Sequence, residues 1–182
     1  MSTFLIEAMQ PNDWPAVRSI YLEGIATGQA TFETEAPTWE DWEASHHQFG
    51  RLVARETDRV VGWAALSPVS RRQVYAGVAE VSVYVTGDSR SKGVGRALLD
   101  QLICESEQNG IWTLQASVFP ENAATIGLHR ACGFREVGRR ARQRCRAIAL
   151  LARRHGDADR HGSQRLFAVP QEAIAAPLLS AG

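Results

Sequence analysis

The chain has 182 residues, enough to bury one substantial core, and its 45% apolar and 22% charged content is ordinary for a soluble globular protein. Lys plus Arg (20) balances Asp plus Glu (20), which excludes a global field that would draw the chain to nucleic acid or to an anionic membrane. Cys104, Cys132 and Cys145 are odd in number and lack C-x-x-C spacing, so neither a disulfide framework nor a metal site is expected, and a reducing cytoplasm fits best. The N-terminal MSTFLIEAMQPND lacks a basic segment followed by a long apolar run, and no stretch reaches membrane-spanning length.

Phe4 to Ala8 reads as a short strand. Asn12 or Asp13 then caps a helix, with Pro15 in the first turn where its missing N–H costs nothing. Val17, Ile20, Tyr21, Gly24 and Ile25 recur at helical spacing. Thr38 caps a second helix, with Asp41 three residues on, and its apolar face uses Trp39, Trp42 and Phe49. Two apolar runs, Leu52 to Ala54 and Val60 to Leu66, flank Thr57-Asp58-Arg59 as a hairpin. A polar loop with Pro68, Arg71 and Arg72 follows. Val78 to Val85 alternates Val81, Val83 and Val85 against Glu80, Ser82 and Tyr84, the period of a strand. The spacing predicts a helix from Val94 to about Gln108 with Leu98, Leu102 and Ile103 inward, ended by Gly110. A strand over Ile111 to Val118 and a helix from Pro120-Glu121-Asn122 to Gly133 complete an α/β or α+β order around a mixed sheet. Trp63 reads as core. His46 and His47, adjacent in a helix, point apart and make a poor metal pair.

The most informative stretch joins the Val78–Val85 strand to the next helix through Arg90-Ser91-Lys92-Gly93-Val94-Gly95-Arg96. Amides at a helix start are unpaired and sit at the positive end of the dipole, so phosphate is a preferred guest. Gly93 and Gly95 would let the main chain approach such an anion, and Arg90, Lys92 and Arg96 add charge around it. No G-K-[ST] follows, so this is not a P-loop, and no acidic residue marks a dinucleotide ribose site.

The string resembles the diphosphate-binding signature [QR]-x-x-G-x-[GA] of the GNAT acetyltransferases. A second element of that superfamily, N-x-x-[AS]-x-x-x-[YH]-x-x-x-G-F, is matched from Asn122 through His129 to Gly133-Phe134, with Thr125 at the small-residue position. The segments GIATGQATFETEAPTWEDW, GWAALSPVSRRQVYAGVAEVSVYV and PENAATIGLHRACGF are similar to the phosphinothricin and methionine-sulfoximine N-acetyltransferase branch, to about Arg140. The resemblance implies the GNAT fold, a central mixed, mostly antiparallel sheet flanked by helices, and acetyl-CoA as co-substrate with a small amine as acceptor. It places Glu80 at the catalytic acidic position, where a carboxylate could take the proton of a substrate ammonium, an effect typically of about 10²–10⁴-fold. It further places an oxyanion-binding N–H at Val85, Val83 and Tyr84 along the pantetheine, and Arg90, Ser91, Lys92, Gly93, Val94, Gly95, Arg96 and Asn122 around the cofactor. His129 stands where the superfamily often has a tyrosine that protonates the leaving thiolate, and either acts so or fills the cleft wall. Arg72 and Tyr75, with Phe32 and Thr34 from the loop between the first two helices, match substrate-binding positions, and the family is typically homodimeric.

The resemblance stops near Gly138. Arg139 to Arg165 holds nine arginines, no lysine and only Asp157 and Asp159 as acids. A closing hairpin with G-x-x-x-G-x-W-x-D is expected there, yet the tryptophan and strand alternation are absent. Leu151-Ala152-Arg153-Arg154-His155 can be encoded so that a one-base shift reads Trp-Arg-Asp-Val, which suggests a shifted reading frame after Phe134. The expected organisation is therefore a GNAT domain over 1–138 and an atypical Arg-rich segment over 139–182. On that reading the Ile111–Val118 edge lacks its covering strands.

Overall fold

The computed structural model describes residues 4–142 and 145–153. Seven strands, β1 (Phe4–Ala8), β2 (Leu52–Glu56), β3 (Arg59–Pro68), β4 (Val78–Val85), β5 (Thr113–Val118), β6 (Arg135–Arg142) and β7 (Cys145–Arg153), form one sheet in the order β1-β2-β3-β4-β5-β7-β6. Four helices flank it: α1 (Trp14–Ala26), α2 (Trp39–Ser45), α3 (Val94–Gln108) and α4 (Ala123–Ala131). Every pairing is antiparallel except β4 with β5.

Local chemistry accounts for the helix ends. The Thr38 hydroxyl accepts from the Asp41 amide at 3.2 Å and donates to the Asp41 carboxylate at 2.9 Å, capping α2 reciprocally. The helix stops at Ser45, so Phe49 lies beyond it and stacks on His47 instead. Asp13 stands at the start of α1 without capping it. Its carboxylate accepts from the Gln10 amide at 2.9 Å and from Arg55 at 2.7 Å, tying α1 to β2.

Two apolar clusters sit on the two faces of the sheet. One joins Val81, Leu114, Ala116 and Val118 to Val94, Leu98, Leu99 and Leu102 of α3 and Ile126 of α4. The other packs Val53, Trp63 and Ala65 under Val17, Ile20 and Trp42 of α1 and α2. Alternation along β4 therefore sends Val81, Val83 and Val85 toward α3 and Glu80, Ser82 and Tyr84 toward the α1–α2 side.

The exposed edge expected beside β5 is corrected. β7 pairs with β5 from Thr113↔Arg153 to Val118↔Ile148, and β6 pairs outside it. Alternation is missing from the middle of β7 because residues 148–151 are covered on both faces: Ile148 and Leu150 join the α3-side core, while Leu151 is buried on the other face. A doubly covered strand reads as a continuous apolar run. Of those nine arginines, Arg139, Arg140 and Arg142 lie on edge strand β6, where charge discourages further pairing. The shifted-frame reading also involves Arg154 and His155, and residues 154–182 lie outside the described residues.

Two outcomes follow. Leu150 is fully buried in the core, so Leu150→Ala should lower unfolding free energy by about 2–5 kcal/mol in urea titration, as for an interior strand. His46 stacks on Trp42 at 4.2 Å with Nδ1 2.7 Å from the Trp42 carbonyl oxygen, and burial pushes its pKa down to about 4. The unfolded chain binds that proton near pH 6.5 and the folded chain resists it until about pH 4. Stability should therefore be full above pH 6.5 and fall as the pH drops through this window, by on the order of 3 kcal/mol from this group. The decline should be shallower in His46→Phe.

Candidate active site

The parallel pairing of β4 and β5 covers only Val78↔Thr113, Ala79↔Leu114 and Glu80↔Gln115. Beyond Glu80 the strands part, β4 continuing against β3 and β5 against β7. The result is a wedge-shaped gap in the middle of the sheet. The Thr86 amide donates to Val61 O on the β3 side at 2.9 Å. Successive strand amides point to opposite edges, so the Val85 and Val83 amides face the gap.

At the wide end of the gap, α3 begins. Its first intrahelical bond runs from the Ala97 amide to Gly93 O at 3.0 Å, which leaves the amides of Val94, Gly95 and Arg96 without helical partners. The glycines serve different purposes. Gly93 has φ 87°, a left-handed conformation costly for any other residue. A Cβ on Gly95 would lie 3.2 Å from Leu128 and 3.6 Å from Val85, so its absence seats α3 against α4 and the end of β4. Ser91 also takes a positive φ, 60°. The loop is braced from outside: Arg59 grips Asp88 at 2.7 and 3.1 Å, and Glu23 accepts from the Gly87 amide at 2.7 Å.

The cations expected around this helix start are partly engaged elsewhere. Arg90 donates to Val85 O at 3.4 Å and lies 3.7 Å from Glu23, while Arg96 pairs with Asp100 at 3.2 Å. Lys92 is exposed. Asn122 is likewise committed within the protein. Its Oδ1 accepts from the Thr125 amide at 3.1 Å, capping α4, and its Nδ2 donates to Gln29 O at 3.2 Å in the loop between α1 and α2.

Tyr84 is placed differently from an open cofactor-lining side chain. Its ring stacks on Trp63 at 4.7 Å and meets Tyr21 edge-on at 5.0 Å, and burial raises both phenols. Thr34 is exposed. Phe32 is also exposed and packs on Phe119, just past β5, at 4.4 Å. With the Asn122–Gln29 bond, this contact lays the α1–α2 loop across the ends of the parted strands. Arg72 lies over the Tyr75 ring at 5.6 Å in the β3–β4 loop, next to the start of β4.

Glu80 lies at the apex of the gap, where pairing with β5 ends. Its Oε2 accepts from Gln115 Nε2 at 3.3 Å, a partner that strand alternation did not single out. His129 is only 3% exposed, edge-on to Phe134 at 4.9 Å, on the α3 side of the sheet. Its Nδ1 sits 2.8 Å from Thr125 O, which can only accept, so the proton is on Nδ1. Burial lowers its pKa and leaves Nε2 as a buried lone pair without a partner among the described residues. Among those residues no cluster suited to a metal ion occurs, and no helix is long and apolar enough to cross a membrane.

The acetyltransferase (GNAT) family model matches residues 14–134, which spans the gap, the glycine loop and the second motif. The chain belongs to the GNAT acetyltransferase family. It is 34% identical over 140 residues to the phosphinothricin N-acetyltransferase of Alcaligenes faecalis, covering 73% of this chain and 71% of that one. It is 33% identical over 134 residues to the L-methionine sulfoximine/L-methionine sulfone acetyltransferase of Pseudomonas aeruginosa, covering 69% and 77%. The fold superposes with TM-score 0.74 on a Sinorhizobium meliloti phosphinothricin acetyltransferase in complex with acetyl-CoA, at 24% identity, covering 84% and 89%. For this GNAT member, Asn122→Ala should remove the α4 cap and the loop tether together. The expected cost is about 0.5–2 kcal/mol, with faster hydrogen exchange at the Thr125 amide.

Proposed function

We propose that this chain transfers the acetyl group of acetyl-CoA to the amino group of a phosphinothricin- or methionine-sulfoximine-type amino acid, with Glu80 as general base. The observation that carries the reading is the parting of β4 from β5 immediately after Glu80. It puts unpaired amides and a carboxylate along one slot. The free amides of Val94, Gly95 and Arg96 suit a diphosphate at the wide end. The open β4 edge, with the Val83 and Val85 amides facing the gap, suits an amide-bearing pantetheine arm. Lys92 and Ser91 border that helix start, and Arg90 and Arg96 reach the anion by exchanging their present carboxylate partners for it.

Acetyl-CoA brings an acyl group activated as a thioester. Glu80, directly or through one water, takes a proton from the substrate ammonium and so frees the nitrogen lone pair for attack. The Val85 amide donates to the thioester oxygen as negative charge builds there. Arg72, Tyr75, Phe32 and Thr34 border the acceptor side, where Arg72 is suited to the α-carboxylate or phosphinate. The similarity to enzymes named for phosphinothricin and methionine sulfoximine supports this substrate class. His129, neutral and buried, is assigned to packing α4 rather than to proton donation. Collapse of the tetrahedral adduct breaks the C–S bond and forms the amide, the nitrogen gives its second proton to solvent, and the departing thiolate takes one from it.

Thiol release from acetyl-CoA, measured against an amine panel including phosphinothricin and methionine sulfoximine, should single out these two. Glu80→Gln should lose about 10²–10⁴-fold in kcat while calorimetry gives an unchanged acetyl-CoA affinity. Wild-type turnover in Glu80→Gln, or acetyl-CoA binding without turnover on any amine, would end the proposal.

A further inference from the structure

We infer that Gln115 is the positioning residue for Glu80: its side-chain amide fixes the carboxylate at the apex of the gap. The inference rests on the assignment of Glu80 as the base. Glu80 and Gln115 are the last pair in register before β4 and β5 part, so they share a face at the one point where the two strands are still locked together. The Gln115 amide is only 5% exposed and donates to Glu80 Oε2 at 3.3 Å. A buried amide is costly unless it is hydrogen-bonded, and Glu80 Oε2 is an acceptor that it finds here.

The neighbours explain why an amide is suited here. Glu80 is in register with Ser67 on β3 and Gln115 on β5, and Gln115 with Leu151 on β7. None of these is charged. The next ionisable side chain along the same face of β4 is Tyr84, whose phenol burial keeps protonated. Among the described residues, the carboxylate is thus held by a neutral donor, with no charged side chain in register beside it. A guanidinium in the same place would orient Glu80 but strongly weaken it as a base, whereas an amide orients it and favours the anion only modestly. One oxygen is occupied, and Oε1, with no partner among the described residues, is left for the incoming ammonium or its water.

Gln115→Met keeps the length of the side chain and removes the donor. Gln115→Glu keeps the shape and replaces the donor with a second carboxylate. On whichever amine the wild-type enzyme acetylates, Gln115→Met should lower kcat at neutral pH by about 10- to 100-fold. KM for acetyl-CoA should not change, and the acid limb of the kcat/KM–pH profile should move modestly to higher pH while the loss in kcat, which comes from misorientation, persists on the plateau. Gln115→Glu should move that limb further, because like charges then face each other. Should Gln115→Met not fold, Gln115→Glu reads the same shift. A pH profile superimposable on wild type, or a uniform loss at every pH with a lowered unfolding midpoint, overturns the positioning role. Glu80→Gln run in parallel separates the two assignments. If it retains wild-type turnover, the base assignment itself is wrong; if it is inactive while both Gln115 variants keep the wild-type profile, only the role of Gln115 falls.

Discussion

Three residues of parallel pairing between β4 and β5 govern the functional half of this molecule. Val78, Ala79 and Glu80 hold β5 in register, and every later residue of β4 turns one edge of its backbone to an open slot. A sheet interior is normally hydrogen-bonded throughout, because buried unpaired amides are expensive. Here the unpaired groups cluster along a single line that ends at the first turn of α3, where further amides lack partners. The gap is therefore the weakest element of the sheet's hydrogen bonding.

The rest of the structure keeps that gap open and in shape. β7 and β6 complete the sheet beyond β5, so β5 can leave β4 without becoming an edge. Gly95 lets α3 sit close to Val85 and Leu128. The ion pair of Arg59 with Asp88 and the Glu23–Gly87 bond hold the loop before α3 from its solvent side, and the Phe32–Phe119 and Asn122–Gln29 contacts lay a second loop across the parted strands. The Trp63–Tyr84–Tyr21 stack fixes the α1 side of β4. Rigid support behind a polar slot is what preorganised transfer chemistry requires.

Much of the fold was legible in residue patterns. The alternation in Val78–Val85 and the spacing in Val94–Gln108 mark β4 and α3 with their observed boundaries, and the Thr38 cap and Thr57–Arg59 turn mark α2 and the β2–β3 hairpin. β6 and β7 were not legible, for a physical reason. Alternation signals a strand with one wet face, and the middle of β7, residues 148–151, is covered on both, while β6 is an edge whose charges resemble an unstructured basic run. At the site, side-chain type indicated Glu80 and the glycine loop. It did not indicate that Arg90 meets Glu23 or that Asn122 reaches Gln29, since these contacts join elements distant in sequence.

The sequence alone determined the chemistry on offer: a carboxylate on a strand, glycines and cations opening a helix, and a second motif at a spacing that identifies the superfamily. Those are properties of residue type and local period, and they survive without coordinates. Only the tertiary structure decided where β4 leaves β5, and hence that Glu80 stands at the apex of an opening beside the buried amide of Gln115. Strand register is set by packing across the whole sheet, and a shift of one residue would turn Gln115 to the opposite face.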